Sequence, residues 1–426
     1  MINCLPFAVF TVLLLVSCGK TDIPPSGDEP GYTVTFVSRF SILQNETAAF
    51  LSDDDGQIRL FQWLPGLDTT KLVVADTKEG ERFDLTIVGV LLRSLPGTNL
   101  VDTFLTMKTY TNVADGSVLD FIPVDVVYET DFQIKFTGIS TLDSIVVPNG
   151  VTFAQPQPDN NFQGEYQVLH NGQFWCRIKL NGEPNWRYLL LNNVTSSGTL
   201  NITRDVATLP ELPNSPAYIG LPFFTNWTYK LDKAVNASQD KFLVLGPQLP
   251  IPGGVVPLFD ALPALEPPGL PNHGYRLWLL GTNPAPGGYG YECDRLFTTL
   301  PATAPALDID IQPTNLADKR LVAVTSSGPV DVLSFTRFGS PNLTWEVLAA
   351  PATNGPTVYR LPDVPSTLSD RFPALRTYDL GSHVQVRAER YDQFDGYDAA
   401  IRARMQPQDP LWRAKAGYLA RQRTFF

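Results

Sequence analysis

The sequence predicts an all-β protein with two to three tandem antiparallel β-sandwich domains of an immunoglobulin-like or jelly-roll-like kind. The apolar runs are short and rich in β-branched and aromatic residues, which favours strands over helices. Prolines (37) and glycines (31) interrupt the chain so often that few stretches are long enough for a substantial helix. Candidate strands recur at short intervals between turn residues, as they do in sandwiches.

The first predicted domain covers residues 31–155. Residues 32–37 alternate polar and apolar side chains, as a half-buried strand does. Segments 47–51 and 57–64 flank an Asp-Gly pair at 55–56, which predicts a hairpin because glycine accepts a positive φ. Further candidate strands complete the sandwich at 71–75, 83–88, 101–111 and 132–136. A polar stretch with two prolines then ends the domain.

The second predicted domain covers residues 160–246 and contains a three-stranded antiparallel meander. Two Asn-Gly pairs, at 171–172 and 181–182, separate alternating segments and predict tight turns. The predicted strands are 166–170, 173–180 and 186–191. One face of the middle strand is apolar and is expected to lie in the core. This face holds Phe174, Cys176, Ile178 and Leu180.

Residues 247–271 carry eight prolines, a density that neither a helix nor a central strand tolerates. The segment is either a linker between units or a long loop packed across one domain. The remaining residues, 272–426, form the predicted C-terminal β domain. Its last parts, 399–404 and 412–426, have the composition of a helix, but the intervening prolines favour a final hairpin.

The extreme N-terminus carries an apolar run, residues 5–16, that is too short to span a bilayer but fits a secretory signal. The run leads into the tetrapeptide Leu-Val-Ser-Cys at 15–18. An aliphatic residue, a small residue and a cysteine in this order resemble the cleavage site of bacterial lipoprotein signals. The resemblance implies removal of residues 1–17 and a diacylglycerol on the Cys18 thiol. The alternatives are an ordinary cleaved signal and a buried N-terminal helix.

The lipidated cysteine and a flexible tether form residues 18–30. The segment is polar and rich in proline and glycine, so it is expected to be solvated and semi-extended. Lys20 and Asp22 follow the cysteine closely, and the position next to the cysteine is Gly19 rather than aspartate. This pattern resembles the export signals of Bacteroidota surface lipoproteins. The resemblance implies a lipid-anchored outer-membrane protein that is exposed at the cell surface.

The net charge of −11 excludes a nucleic-acid binder that relies on electrostatics, because phosphate contacts need clustered lysines and arginines. The same charge disfavours adhesion of the protein surface to anionic lipid, so the lipid anchor is the expected membrane contact. Cys4 belongs to the predicted signal, which leaves Cys176 and Cys293. These two are either joined by a disulfide or buried as small hydrophobic side chains.

Residues 391–398 combine three aspartates at every third position with three aromatic residues. The candidate ligand contacts in this segment are Tyr391, Asp392, Asp395 and Asp398. They could gather oxygen ligands for calcium, contact a sugar, or form an aromatic-anchored turn with solvated acids. Trp175 and Trp186 on the predicted meander suit either sugar recognition or packing between domains. A glycine-rich aromatic stretch at 287–291 predicts a flexible turn.

No common catalytic motif occurs in the sequence: Gly-x-Ser-x-Gly, His-Glu-x-x-His and a Cys–His signature are all absent. No cofactor is expected, with calcium as the one candidate. The first hypothesis is a non-catalytic, surface-anchored protein that binds a glycan or an envelope protein. The alternatives are an envelope carbohydrate-active hydrolase with a carboxylate pair and a structural subunit of an outer-membrane complex.

Overall fold

The described part of the protein is almost entirely β. The structure is a computed structural model, and it describes residues 31–38, 45–66, 68–94, 101–121, 128–137, 142–147, 150–152, 162–169, 174–180, 183, 185–191, 200–211, 217–220, 226–234, 237, 242–250, 261–264, 273–282, 289–299, 301–303, 305–306, 308–314, 318, 320–340, 342–376, 379–406 and 418–425. The all-β, sandwich-like class predicted from the sequence is confirmed. Within these ranges, every helix is too short or too polar to cross a bilayer.

The strands and helices have the following bounds. The earlier strands are β1 (Tyr32–Ser38), β2 (Asn45–Ser52), β3 (Ile58–Leu64), β4 (Thr69–Val74), β5 (Phe83–Ser94), β6 (Val101–Val113), β7 (Ser117–Phe121), β8 (Tyr128–Thr137), β9 (Leu142–Val147), β10 (Gly150–Thr152), β11 (Phe162–Leu169), β12 (Phe174–Leu180), β13 (Trp186–Leu191) and β14 (Leu200–Asp205). The later strands are β15 (Ala217–Gly220), β16 (Asn226–Ala234), β17 (Phe242–Pro250), β18 (Ala261–Ala264), β19 (Tyr275–Thr282), β20 (Tyr289–Phe297), β21 (Asp310–Thr314), β22 (Leu321–Ser327), β23 (Val332–Ser340), β24 (Leu343–Ala349), β25 (Thr357–Arg360), β26 (Asp379–Tyr391) and β27 (Tyr418–Phe425). The α-helices are α1 (Ser366–Arg371) and α2 (Tyr397–Met405), and 3₁₀ turns lie at Val206–Thr208 and Pro373–Arg376.

The largest sheet has twelve strands in the order β17-β16-β19-β20-β27-β26-β23-β24-β6-β5-β2-β3. Its neighbouring strands are antiparallel except for β24 and β6, which pair parallel with Leu343 opposite Leu105. Across this pair the Trp345 indole N–H donates to the Thr109 hydroxyl at 3.0 Å, although the two residues are 236 positions apart. The parallel pair therefore joins the early strands of the chain to the late ones.

One face of the twelve-stranded sheet packs against the three-stranded sheet β21-β22-β25. Residues of both sheets form this first core. They include Phe50, Val88, Met107, Leu333, Trp345, Ile311, Val322 and Val324. Trp345 is completely buried and is among the largest side chains in this core, so its burial contributes strongly to stability.

The other face packs against a second three-stranded sheet, β4-β1-β7, and against α2. Strand β1 lies in the middle of that sheet, antiparallel to β4 and parallel to β7. The second core includes Val34, Leu51, Leu72, Ile87, Tyr110, Leu348 and Ile401. On β2, Phe50 belongs to the first core and Leu51 to the second. Strand β2 is therefore apolar on both faces, as expected for a strand between two layers.

The predicted meander at 166–191 is only half present. Strands β12 and β13 pair antiparallel as predicted, and Cys176 and Ile178 on the predicted apolar face are buried. Strand β11 pairs with β8 instead of β12, and the other neighbour of β12 is β9. An Asn-Gly pair predicts only a local chain reversal. Which strands then pair depends on strands that are distant in the sequence. The pair at 171–172 itself lies outside the described residues.

Two other local predictions are wrong. The glycine-rich stretch at 287–291 is strand from Tyr289 onward, because β20 pairs with β19 on one side and β27 on the other. Residues 399–404 belong to α2 and not to a hairpin. The buried residues of this helix recur at helical spacing, which favours a helix once a core is present to cover them. They include Tyr397, Ala400, Ile401 and Met405.

Parts of the proline-rich segment 247–271 are strands. Strand β17 ends at Pro250 and lies at one edge of the twelve-stranded sheet, and β18 pairs only with β15 among the described strands. Prolines are tolerated at such edges because their missing N–H groups leave no partner unsatisfied. The remainder of the segment lies outside the described residues.

The predicted domains contribute strands to a common sheet. The twelve-stranded sheet takes β2, β3, β5 and β6 from segment 31–155 and β16 and most of β17 from segment 160–246. Its other six strands, which are β19, β20, β23, β24, β26 and β27, come from segment 272–426. Strands of all three predicted segments are therefore hydrogen-bonded within one sheet. The predicted signal, 1–17, and tether, 18–30, lie outside the described residues.

Cys176 on β12 and Cys293 on β20 are buried and free. The disulfide alternative is therefore not realised in the structure, where the two strands belong to different sheets. Both cysteines instead occupy core positions as small hydrophobic side chains. Burial raises the pKa of both thiols, that of Cys293 to about 12, which keeps them neutral.

Replacing Trp345 with alanine should lower the free energy of unfolding by about 3–5 kcal/mol, because it opens a large cavity beside the β24–β6 pair. Trp345→Phe should cost less, since it keeps most of the buried apolar volume. Chemical denaturation measures both effects. The control is Val358→Ala on β25, where the side chain is 57% exposed and the change should be small. Equal stability of Trp345→Ala and Val358→Ala would contradict the proposed role of the tryptophan.

Candidate functional site

The segment 391–398 lies where β26 ends and α2 begins, beside a surface cleft of about 450 Å³. We call it the Arg82 cleft. It is lined by Arg82, Asn112, Ala350, Asp395, Gly396, Tyr397 and Asp398. Two of the predicted ligand contacts, Asp395 and Asp398, therefore line one cavity. The other two in the segment, Tyr391 and Asp392, are not among its lining residues.

Arg82 and Asp398 form a bidentate ion pair in this cleft. The Arg82 Nη1 and Nη2 groups donate to Asp398 Oδ1 and Oδ2 at 2.9 and 3.0 Å. Nη1 also donates to the backbone carbonyl of Asn112 at 3.2 Å. The hydrogen bonds from Arg82 lower the pKa of Asp398, so this carboxylate stays ionised at neutral pH. Because Asp398 lies in the first turn of α2, its charge also interacts favourably with the helix dipole.

Tyr397 holds the first turn of α2 against the twelve-stranded sheet. Its hydroxyl donates to the Leu348 carbonyl at 2.7 Å and accepts the Thr111 N–H at 3.1 Å. Gly396, just before it, has a φ of 81°, in the left-handed region that favours glycine. A side chain added at Gly396 would meet open space, so the backbone there is accessible. The cleft is therefore bordered by the fixed side chain of Tyr397 and by the unobstructed backbone of Gly396.

Tyr391 and Asp392 have other roles. Tyr391 is only 4% exposed, and its hydroxyl donates to Glu389 Oε2 at 2.5 Å, so its ring is not a surface for ligand stacking. Asp392 pairs with Arg295 of β20. The acids of 391–398 therefore face different partners. In the part of the chain that the structure describes, no group of three or more His, Cys, Asp or Glu side chains is arranged to hold a metal ion.

A buried ionic cluster lies beneath this segment, around Glu389. Its carboxylate accepts hydrogen bonds from Arg387 Nε and Arg404 Nη2, both at 2.5 Å. Burial alone would raise the pKa of Glu389, but the two guanidinium groups and the Tyr391 hydroxyl outweigh burial and lower it to about 2. Arg404 belongs to α2, so the cluster attaches this helix to β26.

The backbone of Asn112 connects the cleft to a second buried carboxyl, Asp84 of β5. Asp84 Oδ1 accepts the Asn112 N–H at 2.9 Å, and Oδ2 accepts the Tyr359 hydroxyl at 2.8 Å. Burial raises the pKa of Asp84 from 3.8 to about 6, and repulsion from Asp54 and Asp53 adds to this effect. Asn112 has a φ of 52°, which lies in the left-handed region that asparagine tolerates better than most residues.

The tryptophan pair of the β12–β13 hairpin is only partly described. The register places Trp186 opposite Lys179 and Trp175 opposite Leu190, so both positions share one face of the hairpin. Trp186 is partly buried. The side chain of Trp175 lies outside the described part, as does all of Cys18.

Sequence reasoning missed Arg82 and Asn112. Neither residue belongs to a motif, and Arg82 is 316 positions from the aspartate that it binds. An asparagine at a strand end is a weak signal for a left-handed residue, and nothing local identifies the ion pair.

Comparisons with known proteins gave matches among solved structures alone. No protein-family model matches it, and no curated protein matches it. One solved structure in the comparison is the tetra-tandem repeat in the extending region of a large adhesion protein. It shares 8% sequence identity, and the alignment covers 84% of this chain and 95% of that chain with a TM-score of 0.14. This score is too low to support an argument about fold or function.

Asp84 should make stability depend on pH between about 4 and 6. Its folded pKa is raised, so the stabilising contribution is complete below the unfolded value of 3.8 and is lost as pH rises through about 6. Asp84→Asn stays neutral at every pH. The variant should gain up to about 3 kcal/mol relative to the unmodified protein between pH 4 and pH 7. Denaturant titrations at several pH values measure this gain, and a pH-independent difference would contradict it.

Glu389 should have the opposite pH dependence. Its folded pKa is lowered, so its contribution is present above the unfolded value of 4.5 and is lost as pH falls towards about 2. Glu389→Gln should cost about 3–5 kcal/mol at pH 7, because Arg387 and Arg404 lose a buried partner. The cost should shrink in acid.

The matched control for Glu389→Gln is Asp370→Asn, which breaks the exposed ion pair with Arg376. Because both side chains are well exposed, this change should stay within about 0.5 kcal/mol. An equally small effect at Glu389 would show that the buried cluster contributes little.

Proposed function

We propose that this protein is a non-catalytic, lipid-anchored envelope protein that binds a glycan or a protein at the outer surface of a bacterial cell. The proposed anchor is a diacylglycerol on Cys18, at the end of the lipoprotein-like signal. The proposed location is the outer membrane, with residues 18–30 as the tether. The properties of the Arg82 cleft support the proposed binding role.

The observation that carries the binding role is the chemistry of that cleft. It offers hydrogen-bonding groups at an accessible surface, and Arg82 keeps Asp398 ionised. Such an arrangement suits recognition, because a small number of convergent polar groups fixes the orientation of a ligand. An ionised carboxylate clamped by arginine is a poor proton donor, so Asp398 is unsuited to general acid catalysis.

The hydrolase alternative has weaker support. A glycosidase needs one protonated and one ionised carboxyl group that both reach the substrate. Asp84 has the raised pKa of a general acid, but it is 6% exposed and both of its oxygens accept hydrogen bonds. Asp84 is therefore not accessible to a substrate, as a general acid would have to be.

The complex-subunit alternative would be favoured by a broad apolar surface. The exposed large hydrophobic residues in the described ranges lie on three separate strands. They are Leu91, Phe338 and Val358. This distribution favours a binding protein over an obligate subunit.

The anchor is tested by labelling cells with an alkyne-bearing fatty acid and separating their membranes. The unmodified protein should carry the label and fractionate with the outer membrane, whereas Cys18→Ala should lose both properties. Cys4→Ala is the matched control, because it lies in the predicted signal and should change neither. Label and outer-membrane location retained by Cys18→Ala would contradict the anchor.

The binding role is tested with the chain from residue 19 onward, secreted through a signal without a cysteine. Glycan arrays and capture from envelope extracts should give one glycan class or one stoichiometric protein partner. Turnover of any glycan by the same preparation would overturn the non-catalytic proposal in favour of the hydrolase.

A further inference from the structure

The Arg82 cleft also indicates the chemical class of a ligand. Its volume of about 450 Å³ lies in the range of small-molecule sites, roughly 300–1,000 Å³. The walls combine Tyr397 and Ala350 with polar side chains. The cleft therefore pairs apolar surface with a few hydrogen-bonding groups.

Two polar groups of the cleft are unused within the described part of the chain. The Asp395 carboxylate and the Asn112 side-chain amide form no hydrogen bond or ion pair there, and both residues are exposed. The backbone of Asn112 is nevertheless fixed, because its N–H donates to Asp84 and its carbonyl accepts from Arg82. The amide is thus displayed from a rigid backbone, which lowers the entropic cost of binding.

The charges of the cleft disfavour anionic ligands. Arg82 and Asp398 neutralise each other in their bidentate pair, which leaves Asp395 as the unpaired charge. A phosphate or carboxylate ligand would be repelled by Asp395. A metal ion would lack the set of oxygen ligands that it requires, because no such group occurs among the described residues.

The Asp395 carboxylate and the Asn112 amide are suited to hydrogen bonds with hydroxyl groups of a ligand. Asparagine offers two donors and one acceptor, and the Asp395 carboxylate offers acceptors alone. A hydroxyl both donates and accepts, so adjacent hydroxyls on one ring can bind the carboxylate and the amide together. The apolar face of such a ring fits against Ala350, which is partly exposed, and the missing side chain at Gly396 leaves room for it.

We propose that the Arg82 cleft binds a neutral polyhydroxylated ring, such as a pyranose, through the side chains of Asp395 and Asn112. The inference rests on the proposed binding function and specifies its ligand. In this assignment the Arg82–Asp398 pair positions Asn112 and the first turn of α2.

The test is saturation-transfer NMR on the full-length protein in detergent, with glucose, galactose, mannose, N-acetylglucosamine and rhamnose as separate probes. At least one sugar should give signal transfer, and titration then gives its dissociation constant. Asp395→Asn keeps the shape and removes the charge, and it should weaken binding about tenfold or more. Asn112→Gly removes the amide while accepting the left-handed φ, and it should weaken binding about three- to tenfold.

Asp370→Asn is the control, because it removes an exposed aspartate that is not a cleft residue, and it should leave the affinity unchanged. Unchanged thermal unfolding of all three variants separates loss of binding from loss of fold. A deoxy analogue that lacks one of two adjacent hydroxyls should bind about tenfold more weakly.

Three results would overturn the inference. The first is that the Asp395 and Asn112 variants bind the sugar as tightly as the unmodified protein does. The second is that the protein binds inorganic phosphate in preference to the sugars, and the third is that no sugar in the panel binds. Each leaves the proposed function standing if an envelope protein is captured. Loss of the lipid label or glycan turnover would instead overturn the proposed function.

Discussion

The parallel pairing of β24 with β6 is the constraint on which the rest of the fold depends. It joins strands from the N-terminal part of the chain to strands from the C-terminal part. Both faces of the joined sheet are covered by apolar layers. The Lys108–Glu346 ion pair and the Trp345–Thr109 hydrogen bond cross the same junction. Such distant pairing carries a high loop-closure entropy, so the apolar layers on both faces must compensate for it.

The candidate site is a product of that junction. Arg82 lies directly before β5 and Asp398 lies in α2, and they meet because the early and late strands share one sheet. Two buried carboxyls flank the site with opposite electrostatics. Glu389 has arginine partners and remains ionised, whereas Asp84 accepts only neutral donors and has a raised pKa. The presence or absence of a cation, more than the degree of burial, therefore distinguishes the two environments.

Much of the strand content was predictable from the sequence, because alternation and turn residues are local signals. The β2–β3 hairpin formed as expected around Gly56, which has a φ of 80°. Strand partners were not predictable, since an Asn-Gly pair in the sequence before β12 does not reveal that β9 is the neighbour of β12. Helix α2 was missed because the spacing of its apolar residues indicates a helix only once the core that covers them is known. For the site, the aspartates of 391–398 drew attention to the right segment, but the burial of Tyr391 and the approach of Arg82 arise from tertiary packing.

The central position of β1 has a mechanical consequence. This first described strand is hydrogen-bonded on both sides, to β4 and to β7. Tension applied along the chain from residues 1–30 would enter the fold at this strand and load both ladders in shear, so several hydrogen bonds would have to break together. A strand at a free edge could instead be peeled away one bond at a time. The fold therefore strongly resists a force that is applied to the N-terminal end of this strand.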